Sequence, residues 1–312
     1  MEIYRSWTGL DPVARGASAA LGNFDGVHRG HQALIARAAE AVPDAPLGVI
    51  TFEPHPRAFF RPETASFRLM SGSERARVLA GLGVTRLYEI GFDAALAGMA
   101  AEAFAAEVLA GGLGLAHVVV GADFRFGKGR AGTPELLATW GAEHGFGVTV
   151  VPMLGEGAWS STRVRAAIAD GDCAAAAAAL GRWHGMSGRV SKGDQRGRDL
   201  GYPTANLSFG DQIVPRFGVY AARVTVHDGP HAGTHDGVAS IGERPTFGVN
   251  APNFEVHLFD FSGDLYGAEI TAALVAFLRP EERFDSVEAL IVQMDRDSEA
   301  ARAALAAAEI PV

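Results

Sequence analysis

Cysteine is almost absent: Cys173 is the one such residue among 312. No internal disulfide can form, a cysteine-based zinc site is excluded, and a reducing compartment is the natural setting. Lysine is nearly as scarce. Only Lys128 and Lys192 occur among 27 basic residues, against 36 acidic ones, for a formal net charge of −9. There is no basic block, so the electrostatic footprint of a nucleic-acid binder is missing and no such partner is expected. No apolar run reaches the length that spans a bilayer. The opening MEIYRSWTGL lacks the basic-then-apolar layout of a signal peptide. A cytoplasmic protein without a membrane partner is expected. The chain has no G-x-x-x-x-G-K-S/T P-loop, and its glycines are read as forming no dinucleotide fingerprint. Any nucleotide must be held in another way.

What is present is a large apolar fraction, 48%, in a length that favours two domains. In the first half, the runs at 18–24, 47–52, 86–90, 117–121 and 147–152 read as buried strands. Helical patterns lie between them near 29–42, 73–81, 101–110 and 133–144. Such alternation predicts a parallel, Rossmann-like α/β sheet covered on both faces, with ligands bound beyond the carboxyl ends of its strands. Helices are expected from Thr162 to Asp170 and over the Ala run 174–179. After Gly181 the pattern changes. Strand-like runs at 218–226, 237–242, 254–261 and 269–278 are separated by turn residues. They predict an antiparallel β-barrel, followed by a C-terminal helix capped by a Ser. Domains are expected at 1–183 and 184–312. Whether copies of the chain associate is not legible.

The first-half loops carry chemistry. LGNFDGVHRGHQALI follows a strand and opens a helix, so its backbone amides can face an anion. His28 and His31, three apart, share a helix face and can donate to a phosphate. Gly22, Gly26 and Gly30 permit close backbone approach. In TFEPHPRAFF, Pro54 and Pro56 stiffen a loop whose aromatic rings suit a flat ring system. GADFRFGKGRAG supplies Asp123 and Phe124, and SSTRVR supplies hydroxyls and Arg165, which could reach a phosphate. Taken singly, each loop has a bland reading as a cap or a surface turn. Four of them at four strand ends point to a joint site.

HRGH resembles the His-x-Gly-His motif of the nucleotidylyltransferases, and SSTRVR their second signature. With TFEPHPR and DFRFGKGRAG, these segments look like the adenylyltransferase half of the bacterial bifunctional riboflavin kinase/FAD synthetases. The resemblance implies that Gly22, Asn23, Phe24, His28, Gly30, His31, Ser161, Thr162 and Arg165 hold ATP, with both histidines catalytic. It implies a flavin side lined by Pro54, Pro56, Asp123 and Phe124. The acceptor would be the phosphate of FMN, already ionised at neutral pH, so no general base is needed.

The second half resembles riboflavin kinase through SGRVSKGDQRGRDLGYPTANL, ASIGERPTFG, EVHLFDFSGDLYG and FLRPEERFDSVEALIVQMDRD. Thr204 and Asn206 are two apart, so in an extended segment they would face one way and offer hard oxygen ligands to Mg²⁺ with ATP. The family assigns them that role, and it makes Glu255 the base for the ribityl hydroxyl. Asp260 and Asp264 are nearby alternatives. The glycine-rich stretch 193–201, with Gly193, Gly201 and Pro203, would wrap the nucleotide. The implied substrates and products are riboflavin, FMN, FAD and ATP, with no permanently bound redox cofactor. Two positions depart from the pattern: Trp183 stands where relatives often have Pro after Arg182, and Trp159 sits in the short segment LGEGAW. Competing readings are a protein active in one half, a flavin-binding sensor, and a nucleotidylyltransferase for a pantetheine or nicotinate phosphate.

Overall fold

The computed structural model describes residues 1–63, 66–153, 159–193, 201–243 and 252–310. The chain forms two compact units: Met1–Thr64 with Ser73–Trp159, and Ala65–Gly72 with Ser160–Val312.

The first unit is built on a six-stranded parallel sheet. Its strands are β1 (Glu2–Tyr4), β2 (Ser18–Leu21), β3 (Leu47–Glu53), β4 (Arg86–Gly91), β5 (His117–Gly121) and β6 (Gly147–Val151). The order is β1-β4-β3-β2-β5-β6, so the winding reverses between β2 and β5. In such sheets the crevice at the reversal, outside the carboxyl ends, takes the ligand. The central strands are Val, Ile, Ala and Leu on both faces because helices cover both. The helices are α1 (Arg29–Ala41), α2 (Pro56–Phe60), α3 (Gly72–Gly81), α4 (Ala94–Gly98), α5 (Ala101–Ala103) and α6 (Pro134–His144). The helix expected over 101–110 is mostly π-helical, from Phe104 to Gly112. α6 is bounded in the regular way. Thr133 accepts from the Leu136 amide, Pro134 opens the helix and Gly145 ends it in the left-handed region. Such a cap stabilises by about 1 kcal/mol.

The second unit curls a six-stranded antiparallel sheet in the order β7-β12-β9-β10-β11-β8. The ranges are β7 (His184–Arg189), β8 (Ala205–Leu207), β9 (Gly218–Val226), β10 (Gly233–Glu243), β11 (Pro252–Leu258) and β12 (Glu269–Arg279). An isolated bridge joins Ser191, two residues past β7, to Asn206 of β8, and the curled sheet forms a half-barrel around Met186, Tyr220, Val224, Ile241, Phe254 and Ile270. The strand expected over 254–261 stops at Leu258. Asp260 has φ +54, and a residue in the left-handed region cannot continue a strand. α7 (Ser161–Asp170) and α8 (Cys173–Leu180) pack in this unit, with Leu69, Val164, Ile168, Ala176 and Leu180 forming one cluster. Packing therefore divides the chain at 159/160, two helices before the 183/184 boundary expected from sequence. α9 (Val287–Ala306) is capped by Ser286, as its sequence predicts, and buries Asp297, Ala301 and Leu305.

Candidate active sites

In the first unit the chain leaves β2 through a loop held tightly in place. The Gly22 amide donates to the Ile50 carbonyl, and Thr51 Oγ1 donates to the Asn23 carbonyl at 2.9 Å. Phe24 (φ +49), Gly26 (+86) and Val27 (+42) then take left-handed conformations. Two of these are costly for their residue types, and such strain collects at functional sites. The loop delivers His28, 8% exposed, to the N-cap of α1, where its Nδ1 accepts from the His31 amide at 3.4 Å. The rings of His28 and His31 stack with centroids 3.7 Å apart, and Phe24 lies 4.8 Å from His31. Gly30 leaves room for this stacking: a Cβ there would come within 3.1 Å of the His28 ring, tighter than most such contacts. With Nδ1 accepting, Nε2 of His28 is the nitrogen that carries the proton of the neutral ring and can act as a donor.

The neighbouring strands supply the other walls. After β3, Pro54 is exposed, His55 is buried at the N-cap of α2, and Pro56 takes the first helical position. The rings of Phe59, Phe60 and Phe92 meet edge to face at 5.2–5.8 Å, and Phe60 is 63% exposed. After β5, Asp123 is exposed and Phe124 stacks on Phe126 at 5.5 Å. A Cβ on Gly121 would meet Asp123 Oδ1 at 3.0 Å. Gly127–Gly132 do spell G-x-G-x-x-G, contrary to the reading of the sequence. They form a loop closed by the Phe126–Gly132 bridge around a 3₁₀ turn, so the glycines do not turn a strand into a helix. β2, β3 and β5 are adjacent, so three of the four expected loops emerge side by side at the reversal of the sheet.

The fourth loop is placed in the second unit. Ser160 caps α7, Ser161 and Thr162 occupy its first turn, and Arg165 Nε donates to the Phe67 carbonyl at 2.9 Å. Of LGEGAW, residues 154–158 lie outside the described residues.

The second unit assembles a further constellation. Asn206 on β8 pairs in register with Glu255 on β11. Thr204 Oγ1 donates to Glu255 Oε2 at 3.3 Å, and Asn253 Nδ2 donates to Glu255 Oε1 at 2.9 Å. A Cβ on Gly193 would come within 2.5 Å of the Asn206 amide, so only glycine lets the backbone lie against that side chain. Pro203 offers its carbonyl to His257 Nδ1 at 2.9 Å, and Gly201 has φ +82. Tyr202 donates to Asp295 of α9. Burial first, and then that carboxylate, push its phenol above the ordinary range.

Of the alternative bases, Asp260 is committed elsewhere. Arg302 grips both its oxygens, at 2.9 and 3.0 Å, and holds the carboxyl below the usual carboxylate range. Asp264 accepts from the Tyr266 amide, which is turn chemistry. Residues 194–200 of the glycine-rich stretch and 244–248 of ASIGERPTFG lie outside the described residues. Reading the sequence missed Asn253, although its two-residue offset from Glu255 puts both on one face. It also missed a cavity of about 260 Å³ lined by Asp228–His231 and Asp264–Ala268, with the Lys192 ammonium 5.7 Å from the Tyr266 ring. Backbone bonds from Val190 to Gly267 and Ala268 tie that cavity to the start of the glycine-rich stretch.

Two family models match the chain: FAD synthetase over residues 11–163 and riboflavin kinase over residues 180–305. A bifunctional riboflavin kinase/FMN adenylyltransferase of Pseudomonas fluorescens is 42% identical over 97% of both chains. The chain belongs to the bifunctional riboflavin kinase/FMN adenylyltransferase family. Its members in Escherichia coli K12 and Listeria monocytogenes are 41% and 36% identical, over 92% and 97% of this chain and 92% and 95% of their own. A solved structure described as a macrolide-efflux protein from Streptococcus pneumoniae is similar with a TM-score of 0.83 at 31% identity. It covers 96% of this chain and 98% of that one. The efflux description is that protein's. Among the described residues here, no helix is long and apolar enough to cross a membrane. Kinases and nucleotidyltransferases of these families use ATP with a divalent metal.

Proposed function

We propose that the chain makes FMN from riboflavin in residues 184–312 and FAD from FMN in residues 1–183, in the cytoplasm, using ATP twice. The observation that carries the reading is the register of β8 against β11, which sets Asn206 opposite Glu255, with Thr204 bonded to the same carboxylate.

In the kinase step the ribityl 5′-hydroxyl oxygen bonds to the γ-phosphorus of ATP and the bond to the β-phosphate oxygen breaks. Glu255 takes the hydroxyl proton, ADP leaves and FMN remains. Asn253 keeps one oxygen of Glu255 oriented so that the other can turn to the acceptor. A hydroxyl and an amide oxygen beside one carboxylate form a hard donor set that fits Mg²⁺. Thr204 and Asn206 would hold the ion, which supplies charge neutralisation at the ATP phosphates. Gly193 lets the main chain come close to the phosphates, and Pro203 and Gly201 shape the approach of that segment.

In the adenylylation step an oxygen of the FMN phosphate bonds to the α-phosphorus of a second ATP, and pyrophosphate leaves. No proton has to be removed. His28 and His31 donate to the phosphate that gains charge. Gly22, Asn23, Phe24 and Gly30 shape the nucleotide loop, and Ser161, Thr162 and Arg165 are assigned to the triphosphate. Pro54, Pro56, Asp123 and Phe124 line the flavin side, beside the exposed ring of Phe60 and the half-buried rings of Phe59 and Phe92.

The test is incubation of the purified chain with riboflavin and Mg-ATP, followed by chromatography. FMN should appear first and FAD after it. A chain that binds riboflavin and converts none of it would overturn the reading in favour of a flavin-binding module.

A further inference from the structure

Arg75, on α3, is 0% exposed. Its Nη2 donates to Glu89 Oε1 at 2.6 Å and to Glu53 Oε2 at 3.0 Å. Arg5 Nε reaches the second oxygen of Glu89 at 3.3 Å. Nε and Nη1 of Arg75 are buried without a hydrogen-bond partner among the described residues. A buried guanidinium with unfilled donors is a poor means of gaining stability, and an apolar side chain would pack there at lower cost. What such a group does well is fix the place of its partner.

The partner that matters is Glu53. It is the last residue of β3, it stands directly before Pro54, and its side chain is 38% exposed. Its carbonyl accepts from the Phe92 amide at 3.0 Å, and Phe92 packs against Phe59 and Phe60. The start of the Pro54–Pro56 loop is thus held at two points, by its carboxylate through Arg75 and by its carbonyl through Phe92. Past that start, the loop leads straight into the cap at His55 and the aromatic corner.

We infer that Arg75 is a positioning residue for FMN in the adenylylation reaction: through Glu53 it sets the wall against which the flavin ring lies. The inference rests on the flavin-side reading of the loop given above. Arg75 touches no reacting atom, so its loss should weaken flavin binding and leave the chemical step alone.

The experiment compares Glu53→Gln, Arg75→Lys and Phe60→Ala with the parent chain. Steady-state kinetics are measured for FMN adenylylation and, in the same preparations, for riboflavin phosphorylation. Glu53→Gln and Arg75→Lys should raise the KM for FMN by roughly tenfold with kcat within about twofold, the pattern of lost binding rather than lost catalysis. The KM for ATP and the kinase reaction should not change. An unchanged FMN KM in folded Glu53→Gln, or equal losses in both reactions, overturns the inference. Should Arg75→Lys fail to fold, Glu53→Gln decides alone, because its side chain is already partly in water. Phe60→Ala separates the two readings. A raised FMN KM in that variant alone removes Arg75 and leaves the flavin wall standing, whereas no effect in any variant removes both.

Discussion

Thr204 Oγ1 lies 3.3 Å from Glu255 Oε2, so a residue assigned to the metal and the residue assigned as base share one hydrogen bond. The contact is made across the β8–β11 pairing that also sets Asn206 against Glu255. The two roles are therefore geometrically coupled, and a substitution at Glu255 must be one that keeps the hydrogen bond.

Glu255→Gln meets that condition. It retains size and one acceptor oxygen, which can keep the Asn253 Nδ2 bond while the Thr204 hydroxyl turns to accept from the new amide, but it cannot take a proton. Riboflavin phosphorylation should fall by roughly 10²–10⁴-fold, the usual range for a general base. FAD formation from supplied FMN should continue. Paired product analysis from riboflavin and from FMN, in one preparation, checks this. Near-parental kinase turnover would remove Glu255 from the mechanism, and Asp260 would be a poor replacement because Arg302 occupies both its oxygens.

His31→Ala should act in the opposite direction. His31 stacks on His28 at 3.7 Å and is not part of the cap, which uses its backbone amide. The helix start should therefore survive. FAD formation from FMN should drop by at least roughly tenfold through loss of a phosphate donor, with riboflavin phosphorylation intact. Equal loss of both reactions in a folded variant would speak against two separate sites.

The reading of the sequence succeeded where periodicity is local and long. All five apolar runs of the first half are strands of one parallel sheet. It did not find β1 or β7. β1 is a three-residue edge strand, and β7, HGMSGR, has little apolar alternation and is defined by its pairing with β12. The placement of 66–72 was also out of reach. Its Phe67 and Arg68 amides bond to Asp211, and its Leu69 carbonyl to His184, partners more than a hundred residues away. Motif residues were legible because a spacing of two or three fixes a shared face. The residues that hold them, Asn253 and Arg75, carry no motif.

Cys173 offers a probe of the second unit. Burial, and then the neighbouring Asp172 carboxylate, push its thiol up to about 12 from 9.0. At pH 8 the thiolate fraction falls roughly a thousandfold relative to an ordinary cysteine, and the thiolate is the reactive form. Alkylation of the folded protein should be correspondingly slow and should become fast in denaturant. Rapid labelling under native conditions would show that α8 opens readily from the unit.

Two fragments distinguish the boundary expected from sequence from the one seen in packing. Residues 184–312 contain the whole barrel core, from Met186 to Leu274, together with α9. That fragment should fold and phosphorylate riboflavin. It lacks α7 and α8, whose Val164, Ile168, Ala176 and Leu180 are buried in the second unit, and it leaves His184 without its Leu69 acceptor. Residues 160–312 restore the helices but not Leu69. A buried aliphatic side chain stabilises by about 1.5–3 kcal/mol, and part of that is regained when α8 packs on β7 and β12 with α7 against it. The longer fragment should therefore melt higher, by roughly 5 °C or more for a domain of this size. Thermal midpoints of both fragments, read beside kinase assays, check this. Equal midpoints would show that the α7–α8 pair adds nothing to the barrel and would favour the division at 183/184. An inactive 184–312 with an active 160–312 would make the two helices part of the kinase.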